Sequence, residues 1–516
     1  MIDTAALREK ILDLAIRGKL VPQDPSDEPA SVLLERIRAE KQQMVKDGKL
    51  KAKDIKDDSI IFVGEDNLHY EKFADGTIKC IEDEIPFDLP EGWAWCRLSE
   101  IIQLISGQDL TPDRYNSLGE GIPYITGASN LDNGKVMVNR WTTIPTTHST
   151  TGDLLLTVKG SGVGKMAFSD IENAHIARQI MALRCRNNID NMYLGIVISA
   201  IVSKLTAQAN GIIPGISRDV ILNALSPLPP QNEQIRICEK TNYLLSVIEG
   251  IDFCKEELQA SIQSSKAKIL DLAIRGKLVP QDPNDEPVSI LLERIRAEKE
   301  ELIKQGKIKR DKKESVIFKG EDNSYYLRTG DLVESLEDWC LDELPDSWDV
   351  CCLGELCDYG NCVNVDTASI PDSAWILDLE DIEKDTGVIL RKIRKAERDA
   401  ASTKHLFHKG QVLYSKLRPY LNKVVLADED GYCTSEILPL EFDQVILPQY
   451  ARYFMMSPAF LRYADKCSYG VKMPRLGTAD GKKAIISIPP VEEQKRIVLA
   501  IECAFTQLAF ILENLS

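Results

Sequence analysis

The stretch Lys10–Lys41, KILDLAIRGKLVPQDPSDEPASVLLERIRAEK, occurs a second time at Lys268–Lys299 as KILDLAIRGKLVPQDPNDEPVSILLERIRAEK. The copies are identical at 29 of 32 positions, and the differences are Ser26/Asn284, Ala30/Val288 and Val32/Ile290. Identity of this extent indicates a duplicated structural unit rather than chance. The positions of the two copies therefore decide how the rest of the chain is divided.

Each copy has the pattern of two helices separated by a turn. Before and within the first copy, Leu7, Ile11 and Leu14 recur at helical spacing. Gly18 suits a helix C-cap, and the prolines that follow it cannot continue a helix. A second helix is predicted to begin near Pro29, a position where proline is tolerated.

Length and composition indicate a multidomain protein of ordinary make-up. The chain has 516 residues, of which 44% are hydrophobic and 28% are charged, and this length favours roughly three or four domains. It contains no run of about 18 apolar residues and no signal peptide pattern, so a cytoplasmic protein without a membrane span is expected. The net charge of −17 does not exclude nucleic acid, because a DNA site needs only a local basic face.

Neither the cysteines nor the histidines predict a metal site. The thirteen cysteines are scattered, which favours reduced thiols over a disulfide framework. Their densest group, Cys351, Cys352, Cys357 and Cys362, lacks the C-x2-C spacing of a zinc site. The five histidines form no H-x-x-H or HExxH pattern.

Two unlike blocks of mixed α/β pattern follow the two copies of the repeat. The first runs from Trp93 to about Leu228, and the second follows Leu344-Pro-Asp-Ser-Trp348 and ends at Ile488. In the first block, strands are predicted at Ile122–Thr126, Leu154–Val158 and Ile180–Leu183, and a helix at Tyr193–Leu205. The blocks have matching boundaries but hardly any common sequence. This contrast favours a fixed scaffold that carries two modules with different ligands.

Long helices with an apolar seam connect these blocks. Gln231 to about Ile274 is predicted as one helix whose seam comprises Leu244, Ile248, Ile251, Leu258, Ile262, Ile269 and Leu272. The last helix of the chain has the same spacing at Ile497, Ile501, Ala504, Leu508 and Ile511. Both patterns are typical of a coiled coil.

The register of the repeats shows that the two ends of the chain together reproduce the central helix. Laid on that helix, Ser516 corresponds to Glu256 and Met1 corresponds to Gln259. The prediction is a pseudo-two-fold, circularly organised molecule in which the central helix runs antiparallel to the paired terminal helices. An α/β module would sit at each end, and a helix of about 40 residues spans roughly 60 Å.

The predicted fold class is α+β, with two mixed α/β domains separated by long antiparallel coiled-coil helices. The helix-pair seam is assigned to Leu7, Ile11, Leu14, Leu244, Ile248, Ile251, Leu258, Ile262, Ile501, Leu508 and Ile511. The predicted domains are an N-terminal helical region (1–88), a first α/β domain (89–228), a central helical region (229–343), a second α/β domain (344–488) and a C-terminal helix (489–516).

The chain resembles the specificity subunit of type I restriction-modification systems over essentially its full length. The resemblance is carried by the repeat, the two divergent blocks, the motif P-P-x-x-E-Q-x-R-I at 229–237 and 489–497, and the segment Leu413-Tyr-Ser-Lys-Leu-Arg-Pro-Tyr-Leu421. It implies that the blocks are target recognition domains, each reading one half of a split sequence in double-stranded DNA. It also implies that the helices set the gap between the half-sites.

The resemblance implies a non-catalytic subunit of a prokaryotic, cytoplasmic complex. Its expected partners are two modification subunits, which hold S-adenosylmethionine and methylate adenine, and restriction subunits, which translocate and cut DNA with ATP and Mg2+. No cofactor is expected on this chain itself. The sequence shows no methyltransferase motif of the Asn-Pro-Pro-Tyr type, no Walker motif and no nuclease cluster.

In the second block the candidate DNA-binding residues lie in two segments. Lysine and arginine neutralise phosphates or bond guanine edges, and mixed basic, aromatic and polar surface is what DNA readout requires. The candidates are Tyr414, Lys416, Arg418, Tyr420, Lys423, Lys472 and Arg475. The alternative is that these cations are merely solvated on ordinary strands.

In the first block the candidates surround a glycine-rich turn. They are Lys159, Ser161, Lys165, Arg178 and Gln179. Gly160 and Gly164 enclose three residues and Met166 follows Lys165, which departs from the nucleotide-binding motif GxxxxGK[ST]. Contact of the turn with a DNA backbone, and base readout by Arg178 and Gln179, is therefore preferred, although an ordinary surface strand would give the same pattern.

Two other functions fit parts of the sequence. One is a self-sufficient enzyme that uses a nucleotide or S-adenosylmethionine, and it predicts that the purified chain binds one of these cofactors. The other is a helical assembly scaffold with no role on DNA. Trp93 and Trp348 are expected to pack each module onto its helix rather than to stack on bases.

Overall fold

The computed structural model describes residues 2–51, 55, 58–132, 134–160, 162–207, 215–306, 315–322, 324–336, 344–398, 402–442 and 444–515. The chain forms two compact units, an N-terminal unit Ile2–Cys254 and a C-terminal unit Lys255–Ser516. Each unit contains a helical hairpin, a small three-stranded sheet and an α/β module. The division into five domains stays a prediction.

The helices begin and end close to the positions that the sequence indicates. They are α1 (Thr4–Ile16), α2 (Ala30–Lys46), α3 (Leu98–Ile101), α4 (Asn191–Ala207), α5 (Arg218–Leu222), α6 (Gln231–Ile274), α7 (Val288–Lys304), α8 (Leu353–Leu356), α9 (Pro448–Met455), α10 (Pro458–Lys466), α11 (Thr478–Lys483) and α12 (Val491–Leu515). Pro29 is the N-cap of α2, and Gly18 follows α1 with a φ of +64°. Both agree with the prediction for the repeat.

In the N-terminal unit fourteen strands are described. They are β1 (Ser59–Val63), β2 (His69–Phe73), β3 (Ile78–Cys80), β4 (Ala94–Arg97), β5 (Ile102–Ser106), β6 (Ile122–Ile125), β7 (Leu131–Asp132), β8 (Lys135–Val136), β9 (Trp141–Thr142), β10 (Leu154–Thr157), β11 (Met166–Phe168), β12 (His175–Ile176), β13 (Ile180–Cys185) and β14 (Leu225–Leu228). The predicted strands at 122–126, 154–158 and 180–183 are thereby confirmed as β6, β10 and β13.

In the C-terminal unit fifteen strands are described. They are β15 (Ser315–Lys319), β16 (Tyr325–Thr329), β17 (Leu332–Ser335), β18 (Asp349–Cys352), β19 (Asn364–Val365), β20 (Trp375–Leu377), β21 (Ile393–Arg394), β22 (Lys404–Phe407), β23 (Val412–Ser415), β24 (Val424–Leu426), β25 (Gly431–Thr434), β26 (Ile437–Leu440), β27 (Ser468–Tyr469), β28 (Arg475–Leu476) and β29 (Ile485–Ile488).

The two modules share a core strand arrangement although their sequences differ. The N-terminal module has sheets of order β11-β10-β13-β5 and β12-β6-β9, and the C-terminal module has sheets of order β24-β23-β26 and β19-β22-β25-β20-β21. The order β11-β10-β13 corresponds to β24-β23-β26, and the parallel pair β6–β12 corresponds to β20–β25. In each module the first strand also pairs with the last, β4 with β14 and β18 with β29. The entry and exit of each module are therefore adjacent.

The antiparallel helix pairing is confirmed within each unit. In the N-terminal unit Arg8 of α1 contacts Asp252 of α6 at 3.1 Å, while Ile16 packs in a cluster with Ile237. In the C-terminal unit, Ile497 and Ile501 of α12 belong to the same core as the end of α6, and Lys266 Nζ lies 5.4 Å from the ring centre of Phe505. Rising numbers on one helix therefore meet falling numbers on the other.

The predicted seam positions differ in burial. Ile248, Ile262 and Ile501 are buried, and an intermediate exposure is found for Ile11, Leu14, Leu244, Ile251, Leu258 and Leu508. Leu7 and Ile511, which lie near the two chain ends, are 42% and 39% exposed. These two side chains are not buried in a seam.

Helix α12 is apolar as well as long. Among the described helices, its portion Val491–Asn514 has the length and composition that could cross a membrane. Ile497 and Ile501 of the same helix are fully buried in the core of the C-terminal unit. Since the core helix of a soluble protein has the same composition, length and composition do not assign α12 to a membrane.

Each module is fastened to its helices by a set of contacts that we call the joint, and its centre is a buried glutamate of the P-P-x-x-E-Q-x-R-I motif. In the N-terminal unit Trp93 Nε1 donates to Glu233 Oε2 at 2.9 Å, and Gln23 Nε2 donates to Glu233 Oε1 at 3.2 Å. Burial raises the pKa of Glu233, although the donors Trp93 and Gln23 oppose that shift. The residues of this joint come from the repeat, the module entrance and the helix that leaves the module.

The joint of the C-terminal unit has the same contacts on the corresponding residues. Trp348 Nε1 donates to Glu493 Oε2 at 3.0 Å, and Gln281 Nε2 donates to Glu493 Oε1 at 2.5 Å. Burial again raises the pKa of the glutamate. The expectation that Trp93 and Trp348 pack each module onto its helix is confirmed.

The glutamine and arginine of the motif complete the two joints. Gln234 Oε1 accepts from the backbone N–H of Asp190 at 2.9 Å, and Gln494 accepts from that of Leu447 at 2.7 Å. These hydrogen bonds attach the motif to the segments before α4 and α9. The motif arginines pair with aspartates of the repeat at 2.6 Å, as Arg236–Asp27 and Arg496–Asp285.

Glycine is required at one position of each joint. A Cβ at Gly18 would overlap Pro90, and a Cβ at Gly276 would overlap Pro345. Both glycines also have a positive φ, +64° and +67°, which side chains rarely tolerate. The Gly-Lys-Leu-Val-Pro segment of the repeat is thus shaped for contact with the proline that opens each module.

Candidate nucleic-acid interface

In the C-terminal module the structure brings two predicted segments together. The backbone N–H of Arg418 donates to Pro474 O at 2.7 Å, and the N–H of Leu476 donates to Lys416 O at 3.0 Å. Residues more than 50 positions apart in the chain therefore form one surface. We call this surface, comprising Lys416, Arg418, Tyr420, Tyr469 and 471–473, the C-terminal basic surface.

The backbone of this surface is held in an unusual conformation. Arg418 and Asn422 both have a φ of +49°, in the left-handed region that residues with a side chain seldom adopt. Between them Pro419–Leu421 forms a single 3-10 turn, which leaves Tyr420 51% exposed. Strain of this kind persists only where surrounding contacts impose it, and it is common in ligand-binding segments.

Two of the predicted cations serve to hold the surface. Arg475 donates from Nε and Nη2 to the carboxylate of Glu436, at 3.0 Å and 2.7 Å, and this hydrogen-bonded pair lowers the pKa of Glu436. Lys423 Nζ donates to Leu379 O at 2.5 Å, and burial lowers the pKa of Lys423. Lys416, Arg418 and Lys472 are thus better placed than Arg475 and Lys423 to meet a DNA phosphate.

The structure corrects the prediction for Tyr414. This tyrosine is only 2% exposed and its ring packs edge-on against Phe460, with centroids 5.7 Å apart. Burial raises the pKa of Tyr414 well above its usual value. The sequence pattern suggested alternating exposure, but all four residues of β23 are buried, so Tyr414 belongs to the core.

Sequence reasoning missed three exposed apolar residues on this surface. Tyr469, Val471 and Met473 are 62%, 102% and 50% exposed, and they flank Lys472 at the tip of the β27–β28 hairpin. The signal was present, because Gly470 and Pro474 bracket the segment and mark a turn. A β-ribbon with apolar and basic side chains at its tip fits the major groove of DNA, where apolar groups contact thymine methyls.

In the N-terminal module the described candidate residues lie on two neighbouring connections, the turn from β10 to β11 and the turn from β12 to β13. Val158 N–H donates to Gln179 O at 2.8 Å, which places Lys159 beside Gln179. Gly160 and Gly164 each have a φ of +92°, so this turn depends on glycine. Exposure is high for the four described candidates, Lys159, Lys165, Arg178 and Gln179. Ser161, the fifth candidate, lies outside the described residues.

The two base-reading candidates of this module are positioned by neighbours. Asp109 accepts from the backbone N–H of Arg178 at 3.0 Å and pairs with its guanidinium at 3.2 Å. Arg178 is nevertheless largely exposed, and such a surface pair contributes little and gives way readily. Gly127 lies against the side chain of Gln179, since a Cβ there would stand 2.5 Å from Gln179 Oε1.

The glycine-rich turn does not have the architecture of a nucleotide-binding loop. Such a loop connects a strand to the N-terminus of a helix, where helix amides bind the phosphates. Here Lys165 is followed directly by strand β11, which pairs antiparallel with β10. The turn therefore joins two strands of a hairpin, as expected for a surface element.

Comparison with known proteins gives a consistent result. Residues 345–506 match the family model of the type I restriction modification DNA specificity domain. The specificity subunit of the type I restriction enzyme EcoEI from Escherichia coli is 30% identical, and the match covers 97% of this chain and 88% of that subunit. The EcoAI specificity subunit, also from Escherichia coli, is 30% identical over 69% of this chain and 62% of that subunit.

A solved structure was found as well. The crystal structure of the HsdS subunit from Thermoanaerobacter tengcongensis matches 84% of this chain and 94% of that chain, at 17% identity and a TM-score of 0.43. The identity and coverage of the EcoEI subunit agree with the duplicated joint and with the two unlike modules. The chain belongs to the specificity subunits of type I restriction-modification systems, as its sequence predicted.

Proposed function

We propose that the two modules each read one half of a bipartite, asymmetric DNA sequence, and that the helices fix the gap between the half-sites. The observation that carries this proposal is the duplicated joint. The same glutamate, tryptophan, glutamine, arginine and aspartate contacts attach each module to its helices, yet the attached modules share hardly any sequence. Two unlike readers on matching attachments suit an asymmetric site, which a symmetric homodimer cannot match.

The proposed DNA contacts are divided between the two modules. In the C-terminal module they involve Lys416, Arg418, Tyr420 and Lys472, and in the N-terminal module Lys159, Lys165, Arg178 and Gln179. Lysines on exposed turns supply phosphate contacts, which position a protein without reading bases. Arg178 and Gln179 have the side chains that pair with guanine and adenine edges.

The chemistry is proposed to reside in partner subunits. This chain would act as the non-catalytic part of a prokaryotic, cytoplasmic complex with two modification subunits and with restriction subunits. S-adenosylmethionine, ATP and Mg2+ would then bind to those partners. An enzyme that works alone is disfavoured, since the glycine-rich turn lacks the strand–loop–helix arrangement that a nucleotide site needs.

The test is to map adenine methylation across the genome in cells with and without this gene. We expect a single motif made of two different short sequences, separated by a fixed gap, to disappear with the gene. An unchanged methylation pattern in cells that express the modification subunit would contradict the proposal. A palindromic or uninterrupted motif would contradict the division of reading between two modules.

A further inference from the structure

A small three-stranded sheet occurs once in each unit, and DNA reading leaves it unexplained. In the N-terminal unit it is β1-β2-β3, and in the C-terminal unit it is β15-β16-β17. Both sheets follow the duplicated hairpin in the chain and precede the α/β module. Their registers identify which side chains share a face, so the two sheets can be compared position by position.

The outer faces of the two sheets carry the same kinds of side chain. In the first sheet Phe62 lies opposite Tyr70, and Lys72 lies opposite Ile78. In the second sheet Phe318 lies opposite Tyr326, and Arg328 lies opposite Val333. The stacked aromatic pair is reproduced closely, with ring centroids 5.9 Å and 5.8 Å apart and an interplanar angle of 26° in both sheets. We call these the aromatic faces.

The inner faces of the two sheets, in contrast, carry different kinds of side chain. In the N-terminal unit Glu71 is buried and accepts from Arg97 Nε and Nη2 at 3.0 Å and 2.7 Å. The corresponding Leu327 packs instead in an apolar cluster with Val350 and Cys352. The inner residues have thus changed together with the module beneath them, whereas the outer residues have kept their character. Packing onto the module cannot explain a face that points away from it.

The aromatic faces are exposed and have an acidic edge. Ile78 is 54% exposed in the first sheet and Val333 is 52% exposed in the second. The turn Gly-Glu-Asp borders both aromatic pairs, at 64–66 and at 320–322, and its aspartate accepts from the tyrosine hydroxyl at 2.8 Å in one sheet and 2.7 Å in the other. These hydrogen bonds lower the pKa of Asp66 and of Asp322, so both carboxylates stay charged.

In the first sheet these groups enclose a shallow depression. Its volume is about 370 Å3, and it is lined by Phe62, Gly64, Glu65, Asp66, Tyr70 and Ile78. An apolar floor with carboxylates at its rim suits an apolar side chain that has a lysine or arginine next to it. It does not suit the phosphate backbone of DNA, because the two carboxylates would repel it.

We propose that each aromatic face docks one copy of the same partner protein, through an apolar anchor residue flanked by basic residues. Two equal faces on one chain call for two identical copies. The inference rests on the proposed function, under which the partner is the modification subunit, and it specifies where that subunit binds. The aromatic faces share no residue with the proposed DNA-reading surfaces.

The experiment measures how many modification subunits bind the full chain, by native mass spectrometry of the co-purified complex. The variants are Ile78→Asp, Val333→Asp and the double variant, since both residues are exposed and their replacement leaves the cores intact. Phe62→Ser and Phe318→Ser provide a second pair of variants. Leu118→Asp is the matched control, because Leu118 is 80% exposed and belongs to the N-terminal module, outside strands β1–β3.

The expected stoichiometry is two partner subunits per wild-type chain and per Leu118→Asp chain. Each single aspartate variant should hold one subunit firmly, with at least tenfold weaker binding of the other, and the double variant should hold none. Two firmly bound subunits on the double variant would overturn the inference while leaving the proposed function intact. A wild-type chain that binds no modification subunit and directs no methylation would instead overturn the proposed function, and the inference with it.

Discussion

The two joints of this protein have the same residues and contacts, whereas the two modules have diverged in sequence. At the joints, Glu233 and Glu493 accept hydrogen bonds from equivalent tryptophans, at 2.9 Å and 3.0 Å, and from equivalent glutamines. The modules that these joints hold share a core strand arrangement but hardly any sequence. The difference shows which parts of the molecule serve a common purpose and which parts serve separate ligands.

The small sheets show the same division within a single element. Their aromatic faces keep an aromatic pair and a cation, while their inner faces replace the Glu71–Arg97 pair with Leu327 and Cys352. Corresponding residues of the two sheets therefore differ in type where they contact the α/β module, and they are similar in type where they point to solvent. Core packing does not explain why the solvent-exposed residues of the two sheets are similar. This similarity therefore indicates a common binding partner.

The largest effect is expected from removing the centre of a joint. Glu233→Leu leaves the buried N–H of Trp93 without its acceptor, whereas Gln23 keeps its hydrogen bond to Gly18 O. The loss should cost about 2 kcal/mol of unfolding free energy. Glu493→Leu should cost about the same, because its contacts match. Urea denaturation measures both values. Glu492→Leu, at an exposed position of the same motif, is the control and should stay within about 0.5 kcal/mol.

The inner faces should respond to acid differently. Burial raises the pKa of Glu71, but hydrogen bonds from Arg97 and Ser59 and the charge of Arg97 outweigh it, so the net shift is downward. A depressed carboxyl pKa stabilises the fold above the unfolded value of about 4.3 and loses that contribution as pH falls through the folded pKa. Hydrogen exchange, corrected for its slower intrinsic rate in acid, should therefore quicken in β1 and β2 below about pH 4.3.

The second sheet provides the comparison for that experiment. Leu327 and Cys352 do not titrate in this range, so exchange in β16 should change less than exchange in β2 over the same acid step. Equal acceleration in the two sheets would show that the buried ion pair is not what distinguishes them. Arg97→Met should remove the acid sensitivity of the first sheet.

A smaller effect is expected from single cations on the C-terminal basic surface. Lys472→Ala should weaken DNA binding by the assembled complex and reduce the slope of log affinity against log salt by about 1. Arg475→Ala should lower stability instead, because Arg475 holds Glu436. Fluorescence anisotropy at several salt concentrations measures the slope. Lys409→Ala, an exposed cation outside the surface, should leave the slope unchanged.

The smallest effect is expected at the Arg178–Asp109 pair. Asp109→Asn removes an exposed ion pair and should change the unfolding free energy by no more than about 0.5 kcal/mol. Arg178→Ala should have an equally small effect on stability. It should, however, reduce base discrimination in the half-site read by the N-terminal module by about 1–3 kcal/mol of binding free energy. Competition binding with duplexes that differ at one base pair checks both statements. A loss of affinity equal for every sequence would assign Arg178 to a phosphate.

The helices and their pairing could largely be predicted from the sequence, because the patterns that specify them are local or occur twice in the chain. Helix α6 begins and ends where the seam predicts, and the turn after α1 contains the glycine that its φ requires. The repeat register predicted antiparallel helix pairing, which each unit confirms. The joint was visible as recurring motifs, although their contacts with one another were not.

The parts that could not be predicted depend on contacts between distant segments. Arg475 pairs with Glu436, 39 positions earlier, and no local pattern separates such a paired arginine from a solvated one. Tyr414 lies on a strand that is buried on both faces, so alternation failed as a guide. The third strand of the β1-β2-β3 sheet is short and exposed, so local pattern gives little sign of a three-stranded sheet there.

The most direct test of reading by two separate modules is to map adenine methylation in cells that carry the wild-type chain and in cells that carry Arg178→Ala/Gln179→Ala, the base-reading candidates of the N-terminal module. The account predicts a split motif for the wild type. It predicts that the variant relaxes or loses one half of that motif, with the other half and the gap unchanged. Simultaneous relaxation of both halves, or a change in the gap, would contradict independent reading by two modules on a fixed frame.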